Sequence, residues 1–132
     1  MKKRNSSCDY IPARNEELKS EFYSRLSSRA FLRTDDIFAD IAKAGAKRFY
    51  ITEDRAYILL CNYNTKGEWP KGMNPLRRRM MEDIKRRVAA LMDDDPSLSL
   101  KDAVYKAVNS EAPAFYLTPR SIRTIVYGSL SA

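Results

Sequence analysis

The chain matches itself. Shifted by 66 residues, Ala46-Lys47-Arg48-Phe49-Tyr50-Ile51-Thr52 falls on Ala112-Pro113-Ala114-Phe115-Tyr116-Leu117-Thr118. Between Arg14 and Leu60 this register holds eight identities, where chance gives about three for average composition. Four lie in that window, and the others are Glu16/Glu82, Lys19/Lys85, Leu32/Leu98 and Asp36/Asp102. Apolar character is kept at Leu18/Ile84, Phe22/Val88, Leu26/Met92, Ile41/Ala107, Leu59/Ile125 and Leu60/Val126. A unit of about 50 residues is marginal alone. The two copies are therefore expected to pack as one compact all-α domain, a tandem duplication of a three-helix, helix-turn-helix-like unit. The expected layout is a basic arm over 1–13, unit 1 over 14–63, a linker over 64–74, unit 2 over 75–128 and a tail over 129–132.

Each copy reads as three helices. Leu18, Phe22 and Leu26 form one apolar stripe on the first helix, which starts near Pro12. Its counterpart opens with Asn74-Pro75, carries Leu76, Met80, Ile84, Val88 and Leu91 on one face, and stops at Asp93-Asp94-Asp95-Pro96. The second helix begins at Thr34, with Asp35 and Asp36 in its first turn. It buries Ile37, Phe38 and Ile41 and ends at Gly45. In the second copy, Ser99-Leu100-Lys101-Asp102 resembles a capping box ahead of Ala103, Val104, Ala107 and Val108. Thr52 and Thr118 are natural N-caps for the third helices, with Pro119 at the first helical position of the latter. The Phe-Tyr pair before each cap drops an aromatic into the core, and its β propensity leaves room for a minimal two-stranded pairing of these segments. Between the copies, 64–73 has loop composition, and Trp69 there is expected to pack on the core in preference to serving as a stacking surface.

The chemistry is limited by what is missing. There is no histidine among 132 residues, which removes the commonest general base and the commonest metal ligand. Cys8 and Cys61 alone build neither a disulfide framework nor a zinc site. With four glycines there is no phosphate-cradling loop. Asp93–Asp95 reads as a solvated helix end, Cys61 as core and Cys8 as an inert thiol. Catalysis and a bound cofactor are not expected. No apolar run approaches the roughly 20 residues that cross a bilayer, and none follows Lys2, Lys3 and Arg4. The expectation is a cytoplasmic protein without a membrane partner.

The net charge of +7 is unevenly placed. It comes from the arm (Lys2, Lys3, Arg4) and from Lys71, Arg77, Arg78 and Arg79, whereas residues 80–132 balance seven bases against seven acids. A basic arm and a basic stripe suit phosphate. On the last helix, burying Ile122, Ile125 and Val126 leaves Arg120, Arg123, Thr124 and Tyr127 outward, a set that suits guanine edges and phosphates. The matching face of the first copy is Glu53, Asp54, Tyr57 and Ile58, which repels DNA and fits a protein partner. The expectation is a nucleic-acid-binding protein, with double-stranded DNA as its ligand. Arg120, Arg123 and Thr124 read bases or phosphates, and Arg77, Arg78, Arg79, Lys2, Lys3 and Arg4 contact the backbone. The alternative is a protein-interaction module or homodimer built on Glu53, Asp54, Tyr57 and Ile58. One feature opposes helix-turn-helix reading: about seven residues separate the second and third helices, against the usual 3–4.

Arg14-Asn15-x-x-Leu18, Ala46-x-x-Phe49-Tyr50-Ile51-Thr52-x-x-Arg55-Ala56, Pro75-x-Arg77 and Ala112-Pro113-Ala114-Phe115-Tyr116 together span most of the chain. In these the sequence resembles a group of small proteins, without an assigned activity, of Bacteroides-type bacteria and their phages and mobile elements. The resemblance implies a cytoplasmic bacterial or phage setting and no functional residue.

Overall fold

The computed structural model describes residues 10–31 and 33–131. Over these the fold is all-α: α1 (Ile11–Ser28), α2 (Thr34–Lys43), α3 (Glu53–Lys66), α4 (Pro75–Asp94), α5 (Leu100–Val108) and α6 (Pro119–Ser131). α2 and α5 begin 66 residues apart, at Thr34 and Leu100, as do α3 and α6, at Glu53 and Pro119. The caps act where the side chains predict. Thr52 accepts from the Arg55 amide at 3.1 Å, Thr118 from Ser121 at 3.1 Å, Ser99 from Asp102 at 3.1 Å, and Asn74 from Leu76 at 2.8 Å. α1 starts at Ile11, inside the stretch expected as arm, and α6 runs to Ser131, into the expected tail.

The helices do not group in chain order. One compact unit holds α1 and α2 together with α6; the other, Lys47–Glu111, holds α3, α4 and α5. Each three-helix unit thus draws helices from both halves of the chain, α6 with α1 and α2, and α3 with α4 and α5. The expected boundaries 14–63 and 75–128 are replaced by this exchange.

In the α1–α2–α6 unit the core is Leu18, Phe22, Ile37, Phe38, Ile41, Phe115, Ile122 and Val126. Phe22 and Phe38 stack with ring centroids 5.3 Å apart, and Tyr127 stands edge-on to both. Leu26, expected on this face, is 45% exposed. In the other unit Phe49, Ile51, Ala56, Leu59 and Leu60 are buried with Met80, Met81, Ile84, Val88, Ala103, Val104, Ala107 and Val108.

The crossing is pinned at Ala46 and Ala112, which exchange backbone hydrogen bonds of 2.9 Å in both directions as an isolated antiparallel bridge. The only described pairing therefore falls three residues ahead of the Phe-Tyr segments, not on them. Phe49 instead donates its amide to the Val108 carbonyl at 3.0 Å. Gly45 owes its place to this contact: a Cβ there would lie 2.9 Å from the Ala112 carbonyl oxygen. The C-cap of α2 is Ala44, in extended backbone, so Gly45 is not the left-handed stop that its position suggests.

Candidate nucleic-acid interface

α6 presents the arginines. Pro119 and the Thr118 cap start it sharply, and burial of Ile122 and Val126 turns Arg120, Ser121, Arg123 and Thr124 to solvent. Ile125, expected in the core, is half-buried. A shallow open depression of about 400 Å³ lies along Leu117, Arg120, Ser121, Thr124 and Ile125. The Arg123 guanidinium sits 5.7 Å from the centroid of the Tyr127 ring, which limits its freedom without neutralising it. Thr124 donates its hydroxyl to the Arg120 carbonyl at 3.1 Å. Its hydroxyl proton is thereby committed to the helix backbone, leaving lone pairs that can accept from a base amino group. A phosphate needs a donor, so that role passes to the arginines and Ser121.

Three other bases of this unit are held by acids, whereas Arg29 and Lys43, at the C-terminal ends of α1 and α2, are exposed and in no ion pair among the described residues. Lys19 pairs with Glu16 at 3.3 Å and Arg33 with Asp35 at 3.3 Å. Arg25 bonds Glu21 at 2.5 Å and Asp40 at 2.7 Å. Burial opposes the Arg25 charge, but the hydrogen bonds to Asp40 and Glu21 outweigh it and raise its pKa above the usual arginine value. Among the described residues no acid pairs with Arg120 or Arg123.

On the α3–α4–α5 unit, Arg77, Arg78 and Arg79 occupy the first turns of α4. Arg78 and Arg79 are exposed, Arg77 is half-buried, and among the described residues none is in an ion pair. The bases further along are engaged: Arg86 pairs with Asp83, and Arg87 donates to Ser110 at 2.6 Å and to the Glu111 carbonyl at 2.9 Å while lying over Phe49. Lys2, Lys3 and Arg4 lie outside the described residues.

The acidic face on α3 is partly used inside its own unit. Glu53 accepts from the Asn109 side chain at 3.0 Å and Asp54 from the Tyr105 hydroxyl. The latter bond holds the Tyr105 phenol above its ordinary pKa. Tyr57 is half-buried; its pKa is raised by its hydrogen bond with Cys61. Of the four residues read as a partner surface, Asp54 and Ile58 are exposed, Ile58 at 49%, and Asp54 is hydrogen-bonded within the unit.

The consecutive helix-turn-helix reading gives way to the exchange: the helix packed on α1 and α2 is α6. Sequence reasoning also undervalued Trp69, which is half-buried and packed at a tilt against Tyr63. Its signal was available in the lysines three before and two after it, Lys66 and Lys71. Among the described residues no group of three or more Cys, Asp and Glu side chains is placed to share a metal ion, and no helix is long and apolar enough to cross a membrane. Comparison with protein-family models, curated proteins and solved structures found no match.

Proposed function

We propose that the chain is a non-enzymatic nucleic-acid-binding protein of a bacterial or phage setting, which grips the phosphates of a DNA duplex with α6. The observation that carries this reading is the pair Arg120 and Arg123. They are exposed one turn apart on a sharply capped helix and pair with no acid among the described residues, whereas Lys19, Arg25 and Arg33 of the same unit are each paired with one. Arg29 and Lys43 are likewise unpaired among these residues but stand at the C-terminal ends of α1 and α2. Guanidinium groups left unpaired on a fixed helix are suited to bidentate phosphate or guanine contacts. Arg77, Arg78 and Arg79 supply a second set of backbone contacts. The 66-residue offsets of α2/α5 and α3/α6 support an origin by duplication, with the third helices exchanged between copies. After such a duplication the copies diverged: the face with Arg120 and Arg123 on α6 carries Asp54 and Tyr57 on α3.

Fluorescence anisotropy with a labelled random duplex across a salt series tests the reading. Each phosphate contact contributes about −0.9 to the slope of log affinity against log salt, so Arg120→Glu/Arg123→Glu should flatten it by about 2. Absence of duplex binding at low salt would overturn the proposal. A second reading, self-association, rests on Tyr23 and Leu26, which lie one turn apart on α1 at 48% and 45% exposure. It predicts a concentration-dependent sedimentation coefficient that Leu26→Lys abolishes.

A further inference from the structure

The loop after α3 builds a small aromatic cleft ringed by lysines. Gly67, in left-handed backbone at φ 77°, ends α3 by donating its amide to the Tyr63 carbonyl at 2.7 Å. The chain then places Trp69 beside Tyr63, with ring centroids 4.3 Å apart and planes inclined by 36°. The indole N–H donates to Glu82 Oε2 at 2.7 Å, which fixes the ring from the α4 side. Lys85 Nζ lies 4.9 Å from the centroid of the Tyr63 ring. What remains open is a cleft of about 190 Å³, lined by Asn62, Lys66, Glu68, Trp69, Pro70 and Lys71. That is the liquid volume of about six waters, the scale of one base.

We infer that this cleft takes an unpaired nucleobase of a single-stranded nucleic acid, stacked on Trp69 with its flanking phosphates on Lys66, Lys71 and Arg78. One side of the indole is turned to Tyr63, and the indole also lines the cleft. Arg78 lies one helical turn before Glu82, exposed and in no ion pair among the described residues. Lys66 and Lys71 outweigh Glu68 and leave the lining with a net positive charge, which favours an anionic ligand, and Asn62 offers an amide to a base edge. A paired base has both faces covered by its neighbours and cannot stack here, so the site selects single strands. This inference extends nucleic-acid binding to a second site, on the unit that does not contain α6. It does not depend on the duplex contacts assigned to α6.

Trp69 is the only tryptophan, so fluorescence excited at the red edge of the indole band, where the eight tyrosines do not absorb, reports on this cleft alone. The full chain is titrated at low salt with an oligothymidylate of roughly twelve nucleotides, within the usual site sizes. An abasic strand of equal length, a matched duplex and poly-glutamate serve as comparisons. The oligothymidylate should quench Trp69, and the abasic strand and poly-glutamate should not. The surface variant Lys66→Glu/Lys71→Glu keeps the reporter and should weaken quenching by at least about tenfold in affinity. The Arg120→Glu/Arg123→Glu variant should bind duplex more weakly, with the flattened salt slope, and keep the quench. Equal quenching by the abasic strand or by poly-glutamate would overturn the inference, the latter pointing to an acidic polypeptide. No quenching by oligothymidylate while duplex binding persists would overturn it and leave the α6 reading standing.

Discussion

A methyl group at position 45 would lie 2.9 Å from the Ala112 carbonyl oxygen, which also accepts the Ala46 amide. The obstacle is backbone, not the end of a flexible side chain, so it can yield only by moving the bridge. Gly45→Ala should therefore cost about 1–3 kcal/mol, in the range of overpacking, read from urea unfolding. Tyr105 supplies a second residue-level expectation. Its hydroxyl donates to Asp54, and its pKa is raised in the folded state. The folded protein thus holds the phenolic proton more tightly than the unfolded chain. The stabilisation is complete below the ordinary tyrosine range and is lost as pH rises through the folded pKa. The gap in urea midpoint between the protein and Tyr105→Phe should shrink between pH 7 and about pH 11; a gap that grows would contradict the bond. These contacts show where reading residues reached its limit. Thr52, Thr118, Asn74 and Ser99 were legible as caps because a cap depends on residues two or three away. Gly45 was legible as a helix stop, but its real constraint comes from a residue 67 positions on. Tyr50 and Tyr116 look alike in sequence, yet only Tyr116 has a positive φ, 60°.

Helix faces were legible, while helix partners were not. An apolar stripe says that a helix is covered on that side and carries no label for what covers it. The stripes on α3 and α6 begin at matched positions after matched caps, so either could close on either helix pair, and chain proximity favoured the wrong choice. The exchange separates the effects of two core truncations. Ile122→Ala, on α6, should remove about 2–5 kcal/mol of protection from amides of α1 and α2 and spare α4 and α5. Leu59→Ala, on α3, should do the reverse. Native-state hydrogen exchange distinguishes the two patterns residue by residue. For the candidate interface, the outward positions Arg120, Arg123 and Thr124 followed from the buried positions on the same helix. What the sequence could not convey was the state of their neighbours. The Arg25–Asp40 pair and the use of Glu53 and Asp54 by α5 depend on tertiary contacts. The pairs of Lys19, Arg25 and Arg33 with Glu16, Glu21 and Asp35 and the commitment of the Thr124 hydroxyl are instead made within four residues along the chain.

At the scale of the whole molecule, the exchange makes each half of the chain incomplete. The first half carries α1 and α2 but needs α6 to close their core; it also carries α3, whose core is completed by α4 and α5. The same holds in reverse for the second half. Arg120 and Arg123 therefore owe their fixed orientation to residues of the first half, Leu18, Phe22, Ile37 and Phe38, and the proposed duplex contact needs both halves of the chain. The most direct test is to place a specific protease site in the exposed loop between Gly67 and Gly72, cleave the folded protein, and measure the mass of the product under native conditions. Helix exchange predicts that the two fragments stay together as a 1:1 complex and separate only on unfolding. Separation into two independently folded three-helix halves would contradict it.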